Sequence, residues 1–307
     1  MVPVWNRASL VRRTLDSISA STHHGFELLI VDNCSTDDSL SVCEQWAWEH
    51  RDDGFPIRVL SEQQHGASAA RNRGLMECRT EFIYFFDSDD LFSADFVATV
   101  LPLLTQDLDV LCVPVRQKVN GLVQTRAYEA KGDIHVHLLN SMLCTPSMVL
   151  RADYLRRIGS WNEELSTWDD WELGVRVLLA APRLQWFTER AFHIFYVHPE
   201  SQTGASFSAT LPQITKAMLV VISELQNAEI PSKEERRKTQ RALYYRTCIM
   251  AGKLACEKSR EGAQTFLAMA ANCAVSIGVL RRWCGAVLRI YTAHGGRGAW
   301  RIALWLC

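Results

Sequence analysis

Short apolar runs punctuate the first part of the chain. Leu28-Leu29-Ile30-Val31 stops at Asp32, and Ile57-Arg58-Val59-Leu60 follows it. Phe82-Ile83-Tyr84-Phe85-Phe86 stops abruptly at Asp87, and Val110-Leu111-Cys112-Val113 is the fourth. Runs this short and continuous suit strands buried on both faces of a parallel sheet. Between and around them, residues 8–20, 37–49, 67–78 and 94–104 carry apolar residues at helical spacing. Strands alternating with helices predict right-handed βαβ units, with helices on both faces of the sheet.

Polar residues gather where the strands end. Asp32-Asn33-Cys34-Ser35 follows one strand and Asp87-Ser88-Asp89-Asp90 another. That edge is where open α/β sheets bind ligands. Ser35-Thr36-Asp37-Asp38 also reads as a helix N-cap with acids in the first turn. A cap does not account for Asp32 and Asn33, which precede it.

Beyond about Ser208 the strand signal fades. Long helical stretches take over, roughly 210–227, 233–257 and 262–291. After Glu261 no acidic residue remains, yet Arg281, Arg282, Arg289, Arg297 and Arg301 alternate with Trp283, Trp300 and Trp305. Residues 263–280 are uncharged, but Gln264, Thr265, Asn272 and Ser276 interrupt them, which argues against a spanning helix. A basic, tryptophan-bearing helix either lies on a membrane surface or covers the catalytic domain with its arginines at the solvent edge.

Composition narrows the classes. A length of 307 residues fits two domains, or one large domain with an appendage. The apolar fraction of 48% can fill a core, and a net charge of -1 argues against a nucleic-acid partner. Ten cysteines without a CxxC pair, and no signal peptide at the start, point to free thiols in a cytoplasmic protein.

Two acidic clusters carry candidate chemistry. Three carboxylates within Asp87-Ser88-Asp89-Asp90 repel one another, so either the strand end collects them with a compensating cation or they form a solvated acidic turn. Hard oxygen donors suit Mg²⁺ or Mn²⁺, with phosphate oxygens completing the shell. In Trp168-Asp169-Asp170-Trp171-Glu172-Leu173, acids between tryptophans are candidates for a general base, or simply favourable acids at a helix N-terminus. His135-Val136-His137 would put two imidazoles on one strand face, either a metal pair or an exposed strand edge.

Taken in order, these segments resemble the family 2 glycosyltransferases of GT-A fold. Pro3-Val4-Trp5-Asn6-Arg7 resembles that family's P-x-Y/W-N-R opening, and Val31-Asp32-Asn33-Cys34-Ser35-Thr36-Asp37 its V-D-D/N-x-S-T-D. Gly66 with Ala70-Arg71-Asn72-Arg73-Gly74 is similar to G-x-x-x-A-R-N-x-G, and Asp87 to Asp90 to D-x-D-D. Ile158-Gly159-Ser160-Trp161-Asn162-Glu163 and Asp169-Asp170-Trp171-Glu172-Leu173 resemble G-x-F-D-E and E-D-W-E-L.

The resemblance implies a Rossmann-like, mostly parallel sheet flanked by helices, with a helical C-terminal region. Residues 1–207 would be the catalytic domain, with the nucleotide part at about 1–115 and the acceptor side at 116–207. Residues 208–307 would be the helical region. It further implies an inverting transfer from a nucleotide-diphosphate sugar, UDP-linked ahead of dTDP or GDP, to a glycan or lipid-linked acceptor. Pro3, Asn6, Asp32 and Asn33 would frame the base, Arg71 would lie near base or phosphate, and Asp87 would reach the ribose. Asp89 would ligate Mn²⁺ or Mg²⁺, with Asp87 and His198 beside the metal. Asp170 would be the base, with Asp169 next to it.

Three departures stand out. Only Met1 and Val2 precede Pro3, where the family has several apolar residues, so either the strand starts upstream or the edge of the nucleotide pocket is short. Asn33 replaces an acid, and Asp169 replaces a glutamate. A sugar nucleotidyltransferase would carry a glycine-rich phosphate loop, which is absent here. A non-catalytic binding protein of the same fold remains the alternative. A lipid-linked acceptor would place the protein at the inner face of the cell membrane, held peripherally by its tail.

Overall fold

The structure, a computed structural model, describes residues 1–119, 121–125, 132–197, 206–274 and 277–307. The first half runs β1 (Val2–Val4), α1 (Val11–Ser19), β2 (Leu28–Asn33), α2 (Ser39–Glu49), β3 (Ile57–Glu62), α3 (Ala67–Glu77), β4 (Phe82–Tyr84) and α4 (Phe96–Val100). Then come β5 (Val110–Cys112), β6 (Val115–Val119), β7 (Leu122–Thr125), α5 (Ile134–Asn140), β8 (Met148–Arg151) and α6 (Ala152–Arg157). After α7 (Asp169–Leu179), β9 (Leu184–Trp186) and β10 (Phe192–Val197), the elements among the described residues are all helices. These are α8 (Leu211–Asn227), α9 (Lys233–Cys256), α10 (Arg260–Cys273), α11 (Val279–Ala293) and α12 (Ala299–Leu306).

β1, β2 and β3 are parallel, with β2 in the middle. All six residues of β2 are buried, which is why the sequence shows an unbroken apolar run there. On the other side of β1, the Met1 amine donates to the Tyr84 carbonyl at 2.9 Å, and Phe86 N–H donates to the Met1 carbonyl at 3.0 Å. These bonds bring β4 beside β1, so the strands read 3-2-1-4, the order of a doubly wound nucleotide-binding sheet.

Past β4 the sheet becomes mixed. β8 runs antiparallel to both β4 and β5, and β9 pairs parallel with β5. A separate sheet, β10-β6-β7, stands beside the strand ends. The cap expected before α2 is not formed as read: the N-cap is Asp38, its side chain makes no capping bond, and no acid lies in the first turn, while Asp37 Oδ1 accepts Ser39 N–H at 3.0 Å just ahead of the helix.

Two further expectations are corrected. His135-Val136-His137 lies on helix α5, not on a strand. Neighbours two apart on a helix do not share a face. His137 is fully buried: its Nε2 lies 2.9 Å from the Trp171 carbonyl, and its Nδ1 accepts Leu143 N–H, so it braces α5 against α7. The stretch 262–291 is not one helix either. α10 stops at Cys273 and α11 starts at Val279, with Arg282 donating to the Ala274 and Ile277 carbonyls between them.

The helical region does not stand apart. One hydrophobic core joins Leu138, Leu139, Trp171 and Val175 to Met218, Tyr245, Phe266, Leu288 and Ala303. α9 is its axis. A Cβ at Gly252 would sit 1.9 Å from Thr292 Oγ1 and 2.4 Å from the Arg289 carbonyl, so only glycine lets α11 come this close to α9. α8 meets α7 through charge: Arg176 donates to both oxygens of buried Glu172, at 2.5 and 2.9 Å, and lies 3.6 Å from Glu224. Burial, reinforced by the facing Glu172, pushes the Glu224 carboxyl up to about 8. Among the described residues, no helix is long and apolar enough to cross a membrane.

Candidate active site

The C-terminal ends of β1, β2 and β4 open into a cleft of about 550 Å³. Its wall is built strand by strand. β1 supplies Pro3 and is followed by Trp5, which stays half exposed and meets His65 edge-on at 5.0 Å. Asn6 turns the chain at φ 49°, and its side-chain oxygen accepts Thr36 N–H at 2.8 Å. It therefore staples the β1 loop to the β2 loop.

β2 ends on Asp32 and Asn33, both buried. Asp32 Oδ2 accepts Ser35 N–H at 3.3 Å, while Oδ1 is buried without a hydrogen-bond partner among the described residues. A buried acceptor left unmade is costly. Asn33 is spent locally. Its Oδ1 accepts Gly66 N–H at 2.7 Å and its Nδ2 donates to the Gln64 carbonyl at 2.6 Å. Its amide thereby shapes the turn into α3, where Gly66 takes φ 136°.

Arg71, on α3, is the hub. Its Nη1 donates to Asp169 Oδ2 at 2.7 Å and its Nη2 to Asp87 Oδ1 at 3.0 Å. The guanidinium stacks 4.5 Å from the Trp161 ring. Burial alone would lower its pKa, but Asp169, Asp87 and Asp170 outweigh burial and hold it above the ordinary arginine value. Ser68 adds a contact to Asp169 at 3.3 Å.

The whole acidic tetrapeptide lines the cleft, and Arg7 Nε lies 3.4 Å from Asp89. Asp90 is buried and accepts Tyr196 N–H at 2.9 Å, fastening the turn to β10. Burial first, then Asp87 and Asp89, push the Asp90 carboxyl well above the usual carboxylate range. The Thr14 hydroxyl, 2.9 Å from both the Ser88 and Asp90 carbonyls, ties the same turn to α1.

Opposite stands the start of α7. Trp168 takes a left-handed conformation, and Asp169 and Asp170 fill the first turn. Both carboxylates line the cleft, Asp169 pinned by Arg71. The cleft thus brings together Pro3, Asn33, Arg71, Asp87, Asp89, Asp169 and Asp170. Asn6 and Asp32 support it from behind, and His198 lies outside the described residues.

The sequence reading gave no role to Trp5 and Arg7, although both sit in a quoted motif, and it missed His65. It also missed Phe207, Thr210 and Arg246, which reach the cleft from the helical region. Arg246 lies over the Trp168 ring at 4.7 Å and donates to the Leu139 carbonyl at 3.2 Å. Nothing local in a long helix marks such a residue. A further open cavity of about 380 Å³ is lined by Phe26, Leu28, Phe82, Phe96 and Leu101, with Glu27 and Glu81 also in its wall.

Among the described residues, no three histidines, cysteines or acids come together as a closed metal cage. Mg²⁺ and its relatives are commonly held by one or two carboxylates plus substrate phosphates, and Asp87 with Asp89 fits that donor set.

A doubly wound sheet with an acidic turn at the end of β4 and a second acidic pair across the cleft places the chain in the GT-A fold class. The profile of glycosyl transferase family 2 matches residues 1–159, just over half of the 307. The chain belongs to that family. It is 24% identical over 247 residues to the poly(ribitol-phosphate) beta-N-acetylglucosaminyltransferase TarS of Staphylococcus aureus, covering 78% of this chain and 42% of that protein. The chain spans well under half the length of such curated relatives. The crystal structure of S. aureus TarS 1–349 in complex with UDP-GlcNAc superposes with a TM-score of 0.71 at 18% identity, covering 99% of this chain and 89% of that one. The mannosyltransferase PcManGT from Pyrobaculum calidifontis, in complex with GDP-Man and Mn²⁺, gives a TM-score of 0.61 at 16% identity, covering 99% and 84%. These two likenesses concern the fold.

Proposed function

We propose that the protein is an inverting glycosyltransferase that moves a sugar from a nucleotide-diphosphate donor, UDP-linked, to a glycan or lipid-linked acceptor. The observation that carries this reading is the arrangement around Arg71. One buried guanidinium holds an acid of the nucleotide edge, Asp87, and an acid of the opposite wall, Asp169, on either side of a single cleft.

The parts take these roles. Pro3, Asn6, Asp32 and Asn33 frame the base. Trp5 offers a ring face at the mouth. Asp87 reaches the ribose, and Arg71 holds Asp87 and Asp169 in place. Asp170 takes the proton of the acceptor hydroxyl as that oxygen bonds to the sugar's anomeric carbon. The bond from that carbon to the diphosphate breaks on the opposite face, which inverts the centre. Asp169 orients α7 and does not move the proton, because Arg71 and Ser68 occupy it.

Asp89 and Asp87 would hold Mn²⁺ or Mg²⁺, which supplies positive charge to the departing diphosphate. The Mn²⁺ complex of PcManGT supports metal use, and the UDP and UDP-GlcNAc complexes of TarS support a UDP-sugar donor. The same reading makes the protein cytoplasmic and peripheral at the inner face of the membrane, where lipid-linked acceptors are presented.

Thermal melting with a panel of nucleotide sugars, with and without Mn²⁺, tests the donor. A true donor raises the melting temperature by mass action, more so with the metal. Stabilisation without transfer to any acceptor or to water would mark a binding protein of the same fold.

A further inference from the structure

Helix α11 has two different faces. Gly285, Leu288 and Thr292 turn inward against α9. Leu280, Trp283, Val287, Ile290 and Tyr291 recur every three to four residues on the other side, all exposed, so they form one stripe. Leu280 is 75% exposed and Trp283 69%. On α12, which packs against α11, Trp305 is 84% exposed. Isolated exposed apolar residues are ordinary, but a helical stripe of this length marks a contact surface.

Its charge identifies the partner. From residue 262 to the end there are five arginines and no acid, although the whole chain carries a net charge of -1. Arg281 and Arg282 are tied to backbone carbonyls within the region, and Arg282, Arg297 and Arg301 are exposed. Exposed apolar side chains with tryptophan, on helices whose only charged groups are arginines, complement the acyl boundary and the anionic headgroups of a bilayer surface.

We propose that the outer face of α11, with Trp305 of α12 and the arginines around them, docks flat on an anionic lipid surface. This names the membrane-contacting element of the peripheral reading above. Its test reads binding alone, so its failure leaves the transfer reaction standing.

The full chain is sedimented with vesicles of phosphatidylcholine containing phosphatidylglycerol, and with vesicles of phosphatidylcholine alone, at low and high salt. A chain ending near Glu261 is not a usable control, since it would strip Leu288 and Ala303 from the core over α9. The variants are the triple Leu280→Gln, Trp283→Gln, Ile290→Gln and the double Arg297→Gln, Arg301→Gln. Thermal melts verify that each keeps the fold. The expected result is binding to the anionic vesicles that weakens with salt, falls at least tenfold in the apolar triple, and drops about fivefold for each arginine removed. Two outcomes overturn the proposal. One is no binding of the unaltered chain to anionic vesicles at low salt, or equal binding by all variants. The other is a dimer in solution that the apolar triple dissolves while vesicles are ignored, which would assign the stripe to a second copy of the chain.

Discussion

Arg71 and Asp169 lie 98 positions apart and meet at 2.7 Å inside the protein. Neither could be buried alone at acceptable cost, because an unpaired buried charge is strongly unfavourable. Their pairing, extended to Asp87, locks α7 against the nucleotide edge.

Removing the arginine should therefore cost both stability and activity. Arg71→Met leaves Asp169 buried without its partner, and breaking a buried pair typically costs roughly 3–5 kcal/mol. Adding Asp169→Leu should restore part of the stability and none of the transfer. Denaturant unfolding of the single and double variants checks this. Equal midpoints for Arg71→Met and the unaltered protein would mean the bridge is not what holds α7.

Asp170 and Asp169 should separate by substitution. Asp170→Asn keeps shape and hydrogen bonding but cannot take a proton, so transfer should fall by ~10²–10⁴ while donor binding holds. Asp169→Asn weakens the tie to Arg71, so the melting temperature should fall together with activity. If Asp169→Asn lowers kcat at unchanged stability and Asp170→Asn is mild, the base is Asp169.

Chelation should abolish transfer, and Mn²⁺ or Mg²⁺ should restore it. Asp89→Ala should lower turnover by more than roughly tenfold if that carboxylate holds the ion. Asp90→Asn should leave metal affinity largely intact, since Asp90 serves Tyr196 N–H. Full turnover in excess chelator would remove the metal from the mechanism.

The Glu172–Glu224 contact predicts a pH dependence of stability. Glu224 holds its proton up to about 8 in the folded protein, against an ordinary value of 4.5. Between these values the folded state binds more protons than the unfolded state, so this group's contribution falls as pH rises. Glu224→Gln should flatten that decline, with its largest relative stabilisation at and above pH 8. Melting curves across the range, compared with the unaltered chain, decide it. Parallel pH profiles would show that Glu224 does not titrate in this window.

Local pattern carried much of the first half. The run at Leu28–Val31 became the buried apolar start of β2, covered on both faces. Asp87 to Asp90, after β4, stand at a C-terminal strand end and line the cleft, the edge where such sheets bind ligands. The histidine pair misled because His-x-His fits the period of a strand, while α5 owes its helicity to packing on α7 and α9. The bonds of Asn33 to Gln64 and Gly66, which shape the turn into α3, are visible only in the folded loop.

The sequence by itself determined the alternation of strands and helices, the order of the family's motifs and the acids available for chemistry. Each of these is written in neighbouring residues, through periodicity and spacing. Tertiary structure alone decided that Arg71 joins Asp87 to Asp169, that Asp90 turns inward, that Arg246 enters the cleft from the helical region, and which face of α11 stays uncovered. Those are contacts between residues far apart in the chain, set by how whole elements pack, and no local pattern encodes them.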